Sequence, residues 1–294
     1  MNTKKYLYHI LITGSIILFN FFSCIERIDI NTESSPPRLI IYGYITTDTM
    51  QHAIRITRSS GFFEKTKPQG VSNAIVSISC DEEVFDLKES SEESGLYLTS
   101  PDVYGLPGKT YTFHATIDFN GNGKMEQYEA TSYLPYPATV DAVAVQETNF
   151  FTEKLLKILI WGSLPEENSH NFSFHLIRNS VVLNDSLRGF NYSRDDYVTS
   201  NKFAALPVFV VDPERDKYKF ESGDTIAVQI ESITAEYATF MQNAQMEMFG
   251  QIPLFGGPPA NIETNVQCLS SDSKIGISGF FTAFSKDKAY TIYW

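Results

Sequence analysis

The chain has 294 residues, 43% of them apolar and 20% charged, with a formal charge of −12. That apolar content over that length excludes a disordered protein and is enough to fill one or two ordinary cores. The excess of acid over base excludes a nucleic-acid binder, which needs a basic face for phosphate, and excludes electrostatic attachment to anionic lipid.

The amino terminus reads as an export signal. Lys4 and Lys5 precede an almost unbroken apolar run from Leu7 to Phe22, a length that suits a signal-peptide core better than a membrane span. The run ends Phe21-Phe22-Ser23-Cys24, which resembles the bacterial lipobox, with Phe21 standing where leucine is usual. Residues 1–23 are therefore expected to be a lipoprotein signal peptide and Cys24 the lipidated first residue of the mature chain. Several acyl chains on one cysteine hold a protein to a bilayer without a spanning helix. Residues 24–37, with Asn31, Ser34, Ser35, Pro36 and Pro37, read as a tether that buries too little to fold.

From Arg38 the pattern is mainly β. Short alternating or β-branched runs at 39–46, 53–57, 74–80, 83–88, 95–99, 110–117 and 127–133 are bounded by Gly, Asn, Asp and Pro, and seven such strands in about a hundred residues imply a β-sandwich over 38–137. Leu134-Pro135-Tyr136-Pro137 breaks the pattern and marks a domain boundary. A second β-sandwich is expected over 138–294, with strands at 140–146, 155–161, 171–178, 208–211, 225–230, 276–284 and 289–294. One helix, near 235–249, starts behind Thr234 as N-cap and lines up Tyr237, Phe240, Met241, Ala244 and Met248 on one face, which should pack on the second sandwich. Pro253 to Pro259 reads as a loop.

The sharpest local chemical pattern is Asp118, Asn120, Asn122, Gly123 and Glu129, which fits the calcium-loop spacing, with a Lys124 carbonyl and Glu126 completing the ligand positions. Strands rather than helices flank it, so a plain hairpin loop, for which Asn-Gly is equally suited, competes with a calcium site. Cys80 and Cys268 either form a disulfide, if exported, or are buried as small apolar groups. His52, His114, His170 and His175 show no metal-ligand spacing, and none of the nucleophile, phosphate-loop or zinc-protease signatures is present, so no enzyme is expected. Phe150 and Phe151 sit on one expected loop and Tyr192 and Tyr197 on another, either folded on the core or exposed for stacking on a ligand.

Beyond these local readings, "GVSNAIVSI", "SGLYLTS" and "LPGKTYTFHAT" resemble prealbumin-like modules of surface proteins, and the second half resembles a fibronectin-type or immunoglobulin-like sandwich. With the lipobox, "LIIYGYIT", "PPANIETNVQ" and "IGISGFFTA", the chain resembles a lipoprotein family of the Bacteroidota catalogued as domain of unknown function 4249; "ISGFFTA" is looser than the family's usual Gly-Tyr-Phe form. The resemblance implies an outer-membrane lipoprotein that accompanies a TonB-dependent nutrient transporter, as ligand-capture or docking partner. The alternative role is a structural surface protein, an adhesin or pilus-type subunit. Glu26 and Asp29 after the cysteine favour the cell surface over the periplasmic face.

Overall fold

Alternation with period two builds the first half of the chain. In β1 (Leu39–Thr46) Leu39, Ile41 and Ile45 are buried, and in β2 (Ala53–Arg58) Ile54 and Ile56 join them. Beyond β3 (Gln69–Gly70), β4 (Ile75–Cys80) turns Val76, Ile78 and Cys80 inward. β5 (Glu83–Glu89) pairs with β4 through Glu83–Leu87, then with β6 (Leu96–Leu98) through Lys88 and Glu89, so it carries the sheet around a corner. β7 (Thr110–Ile117) and β8 (Glu126–Tyr133) complete the opposing layer with Tyr111, Phe113, Ile117 and Tyr128. The computed structural model describes residues 36–60, 67–166, 171–194, 201–249, 262–270 and 274–294; the export signal, Cys24, the tether up to residue 35 and the 253–259 loop lie outside them.

A second core follows. β9 (Thr139–Phe150), β10 (Glu153–Ser163) and β14 (Lys202–Val211) form a three-stranded sheet, in the order β14-β10-β9. Facing it are β11 (Asn171–Arg178), with β12 (Val181–Val182) and β13 (Asn191–Arg194) beside it, and β15 (Thr225–Ser232). Leu156, Ile158 and Ile160 meet Phe172, Phe174, Ile226, Val228 and Ile230 between the layers.

The expected strand 208–211 is longer than its composition shows. β14 begins at Lys202 and passes through Pro207, tolerated because β14 is an edge strand, with register breaks against β10 and Ala205 at φ 52°. The helix α1 (Ala235–Met248) starts as expected, with the Thr234 hydroxyl accepting from the Tyr237 N–H at 3.2 Å. After α1 comes β16 (Gln267–Cys268), which pairs with β8.

The two expected terminal strands, 276–284 and 289–294, are one: β17 (Ile277–Ile292). Its first half pairs in parallel with β1, and its second half antiparallel with β15, so the last strand contributes to both cores. Polar Ser285 to Lys288 did not end it, because they continue the β15 register from Ser232 to Gln229. Phe280 to Ser285 are all buried, since one face of β17 meets Phe113 (ring centroids 5.9 Å from Phe281) and the other is covered by α1. On the side of β17 away from β1, Asn265 stands in for a strand: its side chain donates to the Phe281 carbonyl at 2.7 Å and accepts from the Phe281 N–H at 3.0 Å.

Candidate functional site

The calcium-loop residues do not converge. Asp118 accepts from the Asn122 and Gly123 N–H groups at 3.1 and 2.8 Å, and Asn122 accepts from the Lys124 N–H at 2.9 Å, which together close a hairpin loop. Asn120 is exposed. Glu126 is buried, whereas Glu129, three residues along β8, faces the opposite side and lies 3.4 Å from His114. Strand alternation prevents the convergence, because a loop that relies on both glutamates needs a helix, not a strand, after it. No group of three metal-ligating side chains occurs among the described residues.

Of the two alternatives for Cys80 and Cys268, the structure has separate thiols: both are free, Cys80 buried and Cys268 partly so. Three strand steps, β4 to β7 to β8 to β16, separate them, about 14 Å and well past the reach of a disulfide. Burial pushes the Cys80 thiol up, and it hydrogen-bonds Tyr111, so it is inert. Phe150 and Phe151 form the exposed tip of the β9–β10 hairpin, while Tyr192 is stacked on Phe190 beside α1; Tyr197 and His170 lie outside the described residues. An open cleft of about 860 Å³ beside β5 is lined by Asp81, Glu82, Glu83, Asp86 and Asp102, with Lys109 bound to Asp81 at 2.7 Å.

A smaller pocket of about 360 Å³ lies under α1, and here the chemistry is concentrated. The alternation that sends Phe172, Phe174, Val228 and Ile230 into the core sends Ser173, His175, Gln229 and Glu231 to the other face of β11 and β15. Ser173 lies directly opposite Glu231, and His175 opposite Gln229, one diagonal step from the carboxylate. The chain then turns at Ser232–Thr234 and lays α1 back beside this polar face. The helical stripe Tyr237, Phe240 and Met241 packs on Phe280, Phe284 and Tyr44 where β17 runs beside β1, with Phe190 and Tyr192 alongside; Met248 at the far end stays exposed. Gln245 holds the wall by donating to the Leu187 and Phe190 carbonyls, both at 2.9 Å. Buried Asn184 supports it from behind, donating to Phe174 and Gly189 carbonyls and accepting from the Leu176 N–H.

The result is an aromatic enclosure with a polar floor. Tyr42 and Tyr237 hydroxyls lie 2.9 Å apart, and burial raises both above the usual phenol value, so both stay neutral. Glu231 accepts from Ser173 Oγ at 2.7 Å and from Gln229 at 2.9 Å, and His175 Nε2 lies 3.2 Å from it. Burial alone would raise the Glu231 carboxyl, but His175, Ser173 and Gln229 outweigh it and hold the group below the carboxylate range. Burial likewise pulls His175 down, and Glu231 outweighs it, leaving the imidazole raised. Serine, carboxylate and imidazole meet here in the wrong order for a nucleophile: the carboxylate sits between the other two, and Ser173 is fully buried.

Sequence reasoning found the helix stripe but missed His175, Glu231 and Tyr42. The available signal was a pair of polar, outward strand positions followed at once by an amphipathic helix.

A family described as "Domain of unknown function (DUF4249)" matches residues 25–289. No curated protein matches the chain.

Proposed function

We propose, for a chain that belongs to the DUF4249 family, that it is a non-enzymatic outer-membrane lipoprotein that captures a small ligand and serves a TonB-dependent transporter. The observation that carries the reading is the pocket under α1: concave, mostly apolar, and furnished with a few converging polar groups, the ordinary form of a small-molecule site. Ser23-Cys24 lies immediately ahead of the family match, which suits an anchor followed by the working part of the chain. The acidic balance, more negative by two once Lys4 and Lys5 leave with the signal, leaves membrane attachment to the lipid.

The structural-subunit alternative draws less support. Subunits that assemble by strand exchange need a long open edge; the large sheet ends in the two-residue strands β12 and β16 and edge strand β14 carries Pro207, which leaves β9, at the other edge of the three-stranded sheet, as the long edge among the described strands. The test is purification of the full chain from native membranes after palmitate-analogue labelling. A labelled chain that brings a transporter barrel with it, and a Cys24→Ala form that loses the label, are expected. Equal labelling of the two forms removes the anchor. A chain that co-purifies only with further copies of itself, as a polymer, overturns the transporter role in favour of the structural one. Protease treatment of intact cells should degrade the chain if it faces outward.

A further inference from the structure

We propose that the pocket under α1 takes a small organic amine, a cationic head on one aromatic or apolar body. This narrows the capture reading above to a ligand class and rests on it. Most polar groups of the lining can accept from such a head, beside the hydroxyl donors of Ser186 and of one of the two tyrosines. His175 Nε2 lies 3.2 Å from Glu231, and with its proton directed to that carboxylate the neutral ring presents a lone pair at Nδ1, an atom that is buried with no hydrogen-bond partner. Glu231 Oε1 accepts one bond, from Gln229, and a carboxylate oxygen has room for another. Asp185, exposed in the same lining, is engaged by no hydrogen bond or salt bridge among the described residues. The Tyr42 and Tyr237 hydroxyls share one hydrogen bond and keep lone pairs to spare.

The charges point the same way. The described lining contains two carboxylates and no lysine or arginine. Lys286, whose charge reaches His175, is bound at 2.7 Å by Asp48. An ammonium head brings up to three donors and a positive charge to this set, whereas a carboxylate or phosphate brings more lone pairs and repulsion. Phe190, Tyr237 and Phe240 add aromatic rings, which attract cations and bury an apolar body. At about 360 Å³ the pocket is near the small end of ligand sites, too small for an oligosaccharide or an extended peptide.

The test compares three probes of nearly one shape on the full chain: phenethylamine, phenethyl alcohol and phenylacetate, followed by calorimetry from about pH 6.5 to 9, over which the advantage of the amine should grow as the raised His175 gives up its proton. Phenethylamine should bind about tenfold tighter than the alcohol, and phenylacetate weakest. Asp185→Asn, at an exposed position, should weaken the amine about threefold and leave the alcohol and the melting temperature unchanged. Met241→Trp, checked for folding by circular dichroism, should block all binding. Alcohol or phenylacetate binding as tightly as the amine overturns the cationic assignment and leaves small-ligand capture standing. No binding by any probe at about 10 mM overturns both.

Discussion

Glu231→Gln tests the floor of the pocket. Glu231 receives three donors, from Ser173 Oγ, Gln229 Nε2 and His175 Nε2. Glutamine has one acceptor oxygen. Placed toward Ser173 and His175, it turns its NH₂ against the NH₂ of Gln229, so one buried hydrogen bond is lost and the charge-assisted bond to His175 becomes an ordinary one. The first effect costs about 1–3 kcal/mol and the second about 1 kcal/mol, for a total of about 2–4 kcal/mol. The cost depends on pH. His175 is raised by folding, so its contribution is complete below the ordinary imidazole value of 6.5 and is lost as pH climbs through its folded value; Glu231 is lowered, so its contribution is present above 4.5 and is lost as pH falls. The gap between wild type and variant should therefore be widest between pH 4.5 and 6.5 and narrow on both sides. Urea denaturation followed by far-UV circular dichroism across pH 4 to 9 measures it. A gap below about 1 kcal/mol at pH 5.5, or one that does not narrow toward pH 9, refutes the reasoning.

His52 is wholly buried and its imidazole is lowered, by burial first, so the folded chain keeps it neutral. Stability should fall as pH drops through 6.5 toward the folded value, and His52→Gln should flatten that slope in the same urea series. Gly279→Ala places a Cβ against the Ile41 carbonyl oxygen at φ 99° in the parallel β1–β17 pairing; a loss of about 3 kcal/mol or more is expected by thermal melting, and a loss under 1 kcal/mol would show that the pairing yields. Calcium added to about 5 mM should leave the melting temperature unchanged, because Glu126 and Glu129 face opposite sides of β8; a rise that Asp118→Ala abolishes would overturn that geometry. Asn265→Ala removes both bonds to Phe281 and should cost about 2–3 kcal/mol by urea denaturation, against no measurable change if solvent replaces them.

The mainly β character and most strand positions were legible because they rest on local properties. Leu39, Ile41 and Ile45, or Tyr111, Phe113 and Ile117, declare their face by alternation alone. Thr234 declares the start of α1 because a cap acts on the N–H three residues ahead. The calcium spacing was also local, and it left hairpin and metal site open because a spacing does not say which side chains converge once strands flank the loop.

The partners of these elements were decided only by the tertiary structure. Nothing near 277–292 tells that this one strand runs beside β1 for half its length and beside β15 for the rest, since each register is set by residues some 50 to 240 positions away. The pocket has the same origin. Tyr42, His175, Asp185, Glu231 and Tyr237 come from β1, β11, the loop before Leu187, β15 and α1, and each alone reads as an outward polar or aromatic side chain. They become a site because α1 covers the polar back of β11 and β15 beside β1, which shields a carboxylate, an imidazole and the Tyr237 phenol from water at once and makes their mutual hydrogen bonds decisive.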